Sequence, residues 1–296
     1  MTDGDLKGLA FVSDFDGTLF VEKDAGDHGF LEGDLAAIED FQARGGLFGI
    51  CTGRAYHMLM VHMSPRVRPD FYIASSGAVI LDGDLRVIEE HELPREVMLG
   101  IAHRWDGSTV RPLSVSVGGY YHARQDGGFP WVRVVDRYED IAGAVESMAL
   151  IFDSVDRASA AREELLGEFA GCVEASQNGP SLDLTVGGCD KGTAVVAVRE
   201  RLGLRAAGCI GDSFNDVPMI RAGDRGYTFS RSDERVCAQA DVVVDTVGQA
   251  LADFAAWAKG PAAGEVGPTT GGPATGGPTT GGPVPGGPVP GGGLGE

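Results

Sequence analysis

Lysine is nearly missing from this chain. Four occur in 296 residues, and lysine and arginine together total 24 against 43 aspartates and glutamates, for a formal net charge of −19. A chain so poor in cations repels phosphate backbones and anionic lipid, which argues against nucleic-acid and membrane-surface partners. Long hydrophobic runs are absent too. Nothing approaches 18 consecutive apolar residues, so no spanning helix is expected. Cysteine is sparse: Cys51, Cys172, Cys189, Cys209 and Cys237 form no CxxC pair. An odd, scattered set points to reduced thiols rather than a disulfide framework. The opening MTDGDLKG is acidic and lacks the apolar stretch of a secretory leader, so a cytoplasmic location is expected.

What is present is enough for a sizeable core. Hydrophobic residues make up 43% of the sequence, and its length fits one large or two modest domains. Composition shifts near residue 260. Residues 260–296 hold 15 glycines and 8 prolines, with GGPxx recurring at period five. Collagen needs glycine every third residue, so that structure is excluded. With few apolar side chains to offset ordering entropy, residues 260–296 are expected to be a disordered tail.

The remainder alternates between two periods. Short apolar runs at 9–15, 47–51, 71–75, 207–210, 226–230 and 241–245 read as buried strands. Helical spacing occupies 31–44, 191–202 and 217–222. Alternating strands and helices predict an α/β domain with a mostly parallel, doubly covered sheet. From 82 to 187 the pattern changes. Helices at 94–105 and 156–169 sit among paired strands around Gly118-Gly119 and at 148–153, 172–176 and 181–186. This reads as an α+β insertion with an antiparallel sheet. The expected organisation is a core of 1–81 plus 188–259, an inserted 82–187, and the tail.

The chemistry-bearing residues fall at strand ends. Asp14-Phe15-Asp16-Gly17-Thr18 follows the first apolar run. In a parallel sheet, ligands bind at the carboxyl ends of strands. Two neighbouring carboxylates on a glycine turn suit a divalent cation such as Mg²⁺, which takes oxygen ligands and keeps several waters. The run at 47–51 ends in Thr52-Gly53-Arg54, offering a hydroxyl and backbone amides to an anion. The run at 207–210 ends in Gly211-Asp212-Ser213-Phe214-Asn215-Asp216, with more carboxylates and an amide. Lys191, one of the four lysines, opens the helix before that strand.

These four pieces, in this order, resemble the haloacid dehalogenase (HAD) superfamily. DFDGT is similar to its first motif, the threonine of CTGR to its second, the lysine of DKGTA to its third and GDSFND to its fourth. The insertion resembles the cap of the Cof-like subgroup, subfamily IIB. The resemblance spans about residues 8–258. One departure is visible: Ser75-Ser76-Gly77-Ala78 stands where the subgroup usually has Ser-Asn-Gly-Ala.

The resemblance implies a Rossmann-like parallel-sheet core with an inserted α+β cap that sets substrate specificity. It implies an Mg²⁺-dependent phosphatase acting on a small phosphorylated metabolite through an aspartyl-phosphate. Asp14 would be the nucleophile, and Asp16 the acid and then the base. Mg²⁺ would be held by Asp14, Asp16 through its carbonyl, Asp212 and Asp216. Thr52, Gly53, Lys191 and Asn215 would hold the phosphoryl group, with Asn215 either touching phosphate or steadying Lys191. A phosphomutase on the same scaffold, or a non-enzymatic receiver module, are the alternatives.

Other features carry less. GGCDKGT has Lys-Gly-Thr where a phosphate loop needs Gly-Lys-Thr. Asp82-Gly83-Asp84 reads as a hairpin turn, Cys51 and Cys209 as core residues, and His57 and His62 as surface or boundary residues. Tyr120, Tyr121, His122 and Arg124 cluster at one hairpin where alternate members could face the site, and they read chiefly as sheet packing. The span 82–187 carries 9 arginines, no lysine and 19 acidic residues, net −10, and should disfavour polyanions.

Overall fold

The computed structural model describes residues 4–24, 27–111, 113–125 and 129–260; the tail expected from 260 therefore lies almost wholly outside the described residues. The chain opens with β1 (Leu9–Ser13) and a hairpin of β2 (Val21–Asp24) and β3 (Asp27–Gly29). There follow α1 (Glu32–Ala43), β4 (Leu47–Cys51), α2 (Tyr56–His62) and β5 (Phe71–Ala74). A second hairpin is formed by β6 (Val79–Asp82) and β7 (Val87–Glu90).

The middle of the chain holds α3 (Arg95–Trp105), β8 (Ser114–Val117), β9 (Tyr120–Ala123) and β10 (Val132–Val134). Next come β11 (Ser147–Ile151), α4 (Val155–Glu168), β12 (Val173–Asn178) and β13 (Ser181–Val186). The last stretch comprises α5 (Lys191–Arg201), β14 (Ala206–Ile210), α6 (Val217–Ala222) and β15 (Arg225–Phe229). It ends with α7 (Glu234–Cys237), β16 (Val242–Val244) and α8 (Val247–Trp257).

Eight strands form one sheet in the order β16-β15-β14-β1-β4-β5-β6-β7, parallel through β5 and antiparallel at β6 and β7. Both faces are covered, so β1 is buried at every position. Leu9 and Phe11 join the core on one face with Phe41 and Phe254, from α1 and α8. Ala10 and Val12 join the other with Val195 and Val198 of α5. The side-chain period of two thus feeds two cores.

A second sheet runs β10-β9-β8-β11-β13-β12, antiparallel except where β10 lies parallel to β9. Val115, Met148, Leu150, Leu182 and Leu184 on one face pack against Met98, Ile101 and Trp105 of α3 and Leu165 of α4.

The expected elements recur within a few residues, and the α/β class holds. Several elements lie outside those expected, β6, α7 and α8 among them. The β2–β3 hairpin and β10 are too short and polar to stand out. Strand β7 falls inside the 82–187 span yet pairs with β6 in the larger sheet, across a turn where Asp82 Oδ1 accepts from the amides of Asp84 and Arg86. Among the described residues, no helix is long and apolar enough to cross a membrane.

Candidate active site

Register brings three strand ends together. Ser13 of β1 lies level with Ile210 of β14 and Ile50 of β4, so the residues just beyond share one rim of the sheet. The Asp14 amide donates to the Ile210 carbonyl at 2.9 Å, and the Thr52 amide to the Ile73 carbonyl at 2.8 Å. These bonds extend the parallel ladder one step and then release the chain into loops.

Asp14, Asp212 and Asp216 converge there, each offering a carboxylate oxygen within 4.8 Å of the others. Lys191 meets them from the first turn of α5. That helix starts firmly because the Asp190 side chain accepts from the Thr193 amide and Thr193 Oγ1 accepts from the Asp190 amide, a reciprocal cap. Lys191 Nζ lies 2.6 Å from Asp14 Oδ1 and 2.6 Å from Asp216 Oδ1, with all three side chains buried. The other oxygen of Asp216 accepts from the amides of Asp212 and Ser213 at 3.0 Å each, which fixes the β14–α6 loop. Asp212 Oδ1 accepts from Thr18 Oγ1 at 2.7 Å.

Close approach makes Gly17 necessary. Its φ is +80°, and a Cβ there would lie 2.8 Å from Asp212 Oδ2.

Three carboxylates share one ammonium, and their electrostatics reflect it. Burial, and then the charge of Asp216, hold the Asp14 carboxyl well above the usual range despite Lys191. Asp212 is raised by burial and then by Asp216, with Thr18 working the other way. Burial alone would lower Lys191, but Asp14 and Asp216 outweigh it and lift the ammonium well above its ordinary value.

Asp16 stands apart from this cluster. Its two oxygens are engaged by Arg54, with Nε at 2.7 Å and Nη2 at 2.5 Å. Arg54 Nη1 is buried without a hydrogen-bond partner. Thr52 Oγ1 accepts from the Arg54 amide at 3.1 Å, which shapes the turn that presents Gly53. Asn215 does not hold Lys191, whose partners are Asp14 and Asp216; its Oδ1 is buried and unpartnered.

A cavity of about 820 Å³ opens over these groups, between the rim of the larger sheet and the second sheet. Asp14, Asp16, Thr52, Gly53, Asn215 and Asp216 line it, while Lys191 and Asp212 are not among its lining residues. Sequence reasoning passed over several of its walls. Arg54 was read only for its backbone; of the hairpin cluster that could face the site, Tyr121 lines the cavity, and its hydroxyl accepts from the Ala55 amide. His62 lines it as well, 5.9 Å from the ring of Trp131, which stacks on Phe129 at 4.9 Å. The aromatic spacing at 129 and 131 was the available signal for that wall.

The sequence profile of haloacid dehalogenase-like hydrolases matches residues 11–253, and the chain belongs to that family. No curated protein matches it by sequence. Among solved structures, a haloacid dehalogenase-like hydrolase from B. subtilis is similar at TM-score 0.72 and 18% identity, covering 83% of this chain and 98% of its own. A HAD subclass IIB sugar phosphatase is similar at TM-score 0.68 and 20% identity, over 83% and 98%. A HAD/Cof-like hydrolase from Plasmodium vivax is similar at TM-score 0.72 and 16% identity, over 86% and 96%. The fold is that of Cof-like members: a Rossmann-like parallel-rich core accompanied by a second α+β layer.

Proposed function

We propose that this hydrolase is a phosphatase for a small phosphorylated metabolite, a sugar phosphate or similar monoester, and that it works through an aspartyl-phosphate on Asp14. The observation that carries this reading is the buried Asp14 carboxylate, which opens into the cavity while tied to Lys191 and flanked by Asp212 and Asp216. A solvated turn would not bury a nucleophile-sized group among like charges.

The donor set fits a hard divalent cation. Three carboxylates against one ammonium leave a net negative cluster of oxygen ligands, the environment Mg²⁺ favours. Asp14, Asp212 and the carbonyl of Asp16 would hold it, with Asp216 in support. When bound, the cation neutralises charge between nucleophile and substrate and acts as a Lewis acid on phosphoryl oxygen.

The protein's own groups perform the transfer. An Asp14 oxygen attacks phosphorus in line, the phosphorus–ester oxygen bond breaks, and Asp16 gives its proton to the departing alkoxide. Asp16 then takes a proton from water as the water oxygen attacks phosphorus, and Asp14 leaves as carboxylate. Arg54 occupies both Asp16 oxygens here, so proton donation requires that contact to open. Lys191, Thr52 and the Gly53 amide meet the remaining phosphoryl oxygens. The second sheet acts as the cap that closes over the substrate and excludes bulk water.

Phosphate release from a panel of monoesters, with Mg²⁺ and with chelator, tests this reading. We expect turnover that chelation abolishes. A folded protein that releases no phosphate from any monoester would overturn it.

A further inference from the structure

One face of the second sheet floors the cavity, with small side chains such as Ala149 and Ser114 alongside larger ones such as Tyr121 and Ile151. Ala149 of β11 stands opposite Asp183 of β13 on one side and Ser114 of β8 on the other, and all three line the cavity. Among the described lining residues contributed by this sheet, Asp183 is the one carboxylate.

Its position is specific. A Cβ added at Gly53 would lie 2.6 Å from Asp183 Oδ2, so the carboxylate rests against the loop whose amide is assigned to phosphate. The hydrogen bond it accepts from Ser76 Oγ is a long one, 3.3 Å, where a carboxylate has room for about four. A bound phosphoryl group would put a second anion within a few ångströms. Two anions so close, one on a cavity wall, need a donor between them.

We propose that Asp183 reads the leaving group: it accepts a hydrogen bond from a hydroxyl or ammonium one or two carbons from the ester oxygen, and so selects phosphomonoesters that carry such a donor over plain alkyl phosphates. This rests on the phosphatase reading above and names the substrate feature that site requires. Burial pushes the Asp183 carboxyl up to about 6 even though Lys191 and Ser76 work the other way, which is the mark of an acceptor short of donors. The small floor at Ala149 and Ser114 leaves room for the donor-bearing carbons, and the stacked Phe129 and Trp131 close the cavity beyond.

The test compares kcat/KM, with Mg²⁺, for glycerol 3-phosphate against propyl phosphate and for phosphoethanolamine against ethyl phosphate. The first pair differs by hydroxyls on the second and third carbons from the ester oxygen, and the second by an ammonium on the second carbon. In the wild-type protein we expect at least one pair to show a preference of roughly 10- to 100-fold for the donor-bearing ester. Asp183→Ala should bring that ratio close to one. Asp183→Asn, nearly isosteric, should keep part of a hydroxyl preference and lose an ammonium preference, and it decides the matter if the alanine variant does not fold. Glu146→Gln is the control. Glu146 accepts from Ser75 and Ser116 but does not line the cavity, so its loss loosens the same region without touching the leaving group. An equal collapse of the ratio in Glu146→Gln, or an unchanged ratio in both Asp183 variants, would overturn the proposal. Wild-type turnover with no preference in either pair would overturn it while leaving the phosphatase reading standing. No wild-type turnover on any monoester would remove both.

Discussion

Lys191 Nζ lies 2.6 Å from Asp14 Oδ1, although 177 positions separate them in sequence. The lysine occupies the first turn of α5, where a cation opposes the helix dipole. Burial opposes its charge as well. Asp14 and Asp216 offset both, so the ammonium and the two carboxylates depend on one another.

Lys191→Met should therefore damage stability and activity together. It leaves two buried carboxylates without their cation, which costs about 3–5 kcal/mol in comparable sites. The sign of the pH dependence follows from the raised carboxyl of Asp14. The deficit is present where the unfolded Asp14 carboxyl ionises and the folded one resists it, and it fades as pH falls toward the unfolded value near 4. Urea unfolding at pH 8 and pH 4.5 checks this: a large loss at the first and a smaller one at the second. Equal losses would mean that unpaired charge is not the cause.

The two aspartates of DFDGT should separate by role. Asp14→Asn is expected to fold and to lose roughly 10³-fold or more in turnover with any ester, forming no phosphoprotein. Asp16→Asn should still accept a phosphoryl group from p-nitrophenyl phosphate, whose leaving group needs no proton, and then release it slowly. Mass spectrometry of acid-quenched protein distinguishes them. A phosphoryl adduct on Asp14→Asn would remove Asp14 as nucleophile.

Gly17→Ala tests the metal side of the site without removing a ligand. The new methyl would enter at 2.8 Å from Asp212 Oδ2, on a backbone at φ +80° that disfavours side chains. Asp212 must move, so the Mg²⁺ concentration for half-maximal activity should rise about tenfold while Asp14 and Lys191 stay in place. Stabilisation by Mg²⁺ in thermal unfolding should weaken in parallel. Unchanged Mg²⁺ dependence would detach Asp212 from the metal.

Much of this site is legible in sequence because a parallel sheet converts chain order into place. Once 9–15, 47–51 and 207–210 read as adjacent parallel strands, the residues after each must share a rim, and Asp14, Thr52 and Asp212 do. Lys191 could be singled out by its scarcity and by its helix start. What could not be read are pairings set by tertiary contact alone. Arg54 and Asp16 meet from different loops, 38 positions apart. Glu146 sits in a span of net −10 and resembles any solvated acid. In the structure it is buried, accepting from Ser75, Ser116 and the Gly119 amide. The Ser75-Ser76-Gly77 turn takes positive φ at all three residues, which aims its hydroxyls at Glu146 and Asp183; composition gives no hint of that. The strand β7 was missed because its outward Val87 and polar Glu89 and Glu90 lack the apolar run of a central strand, as suits the edge of a sheet.

Asp183 also affects stability, in a pH window of its own. Its folded carboxyl titrates near 6, above the ordinary aspartate value near 4, and burial is the leading cause. Between those limits the folded protein binds more protons at this position than the unfolded chain does, so the residue's contribution falls as pH rises from about 4 to about 6. Below pH 4 both states are protonated and nothing is lost. Above 6 the full penalty applies, at most about 3 kcal/mol for a displacement of this size and about 1–2 kcal/mol once the cavity's solvent is allowed for. Asp183→Asn removes the titration but keeps the shape. Its stability relative to wild type should therefore climb across that window and level off by pH 7, measured by urea unfolding at half-unit intervals without added ligand. A difference that is flat with pH would mean that the carboxylate already finds the donors it needs within the protein.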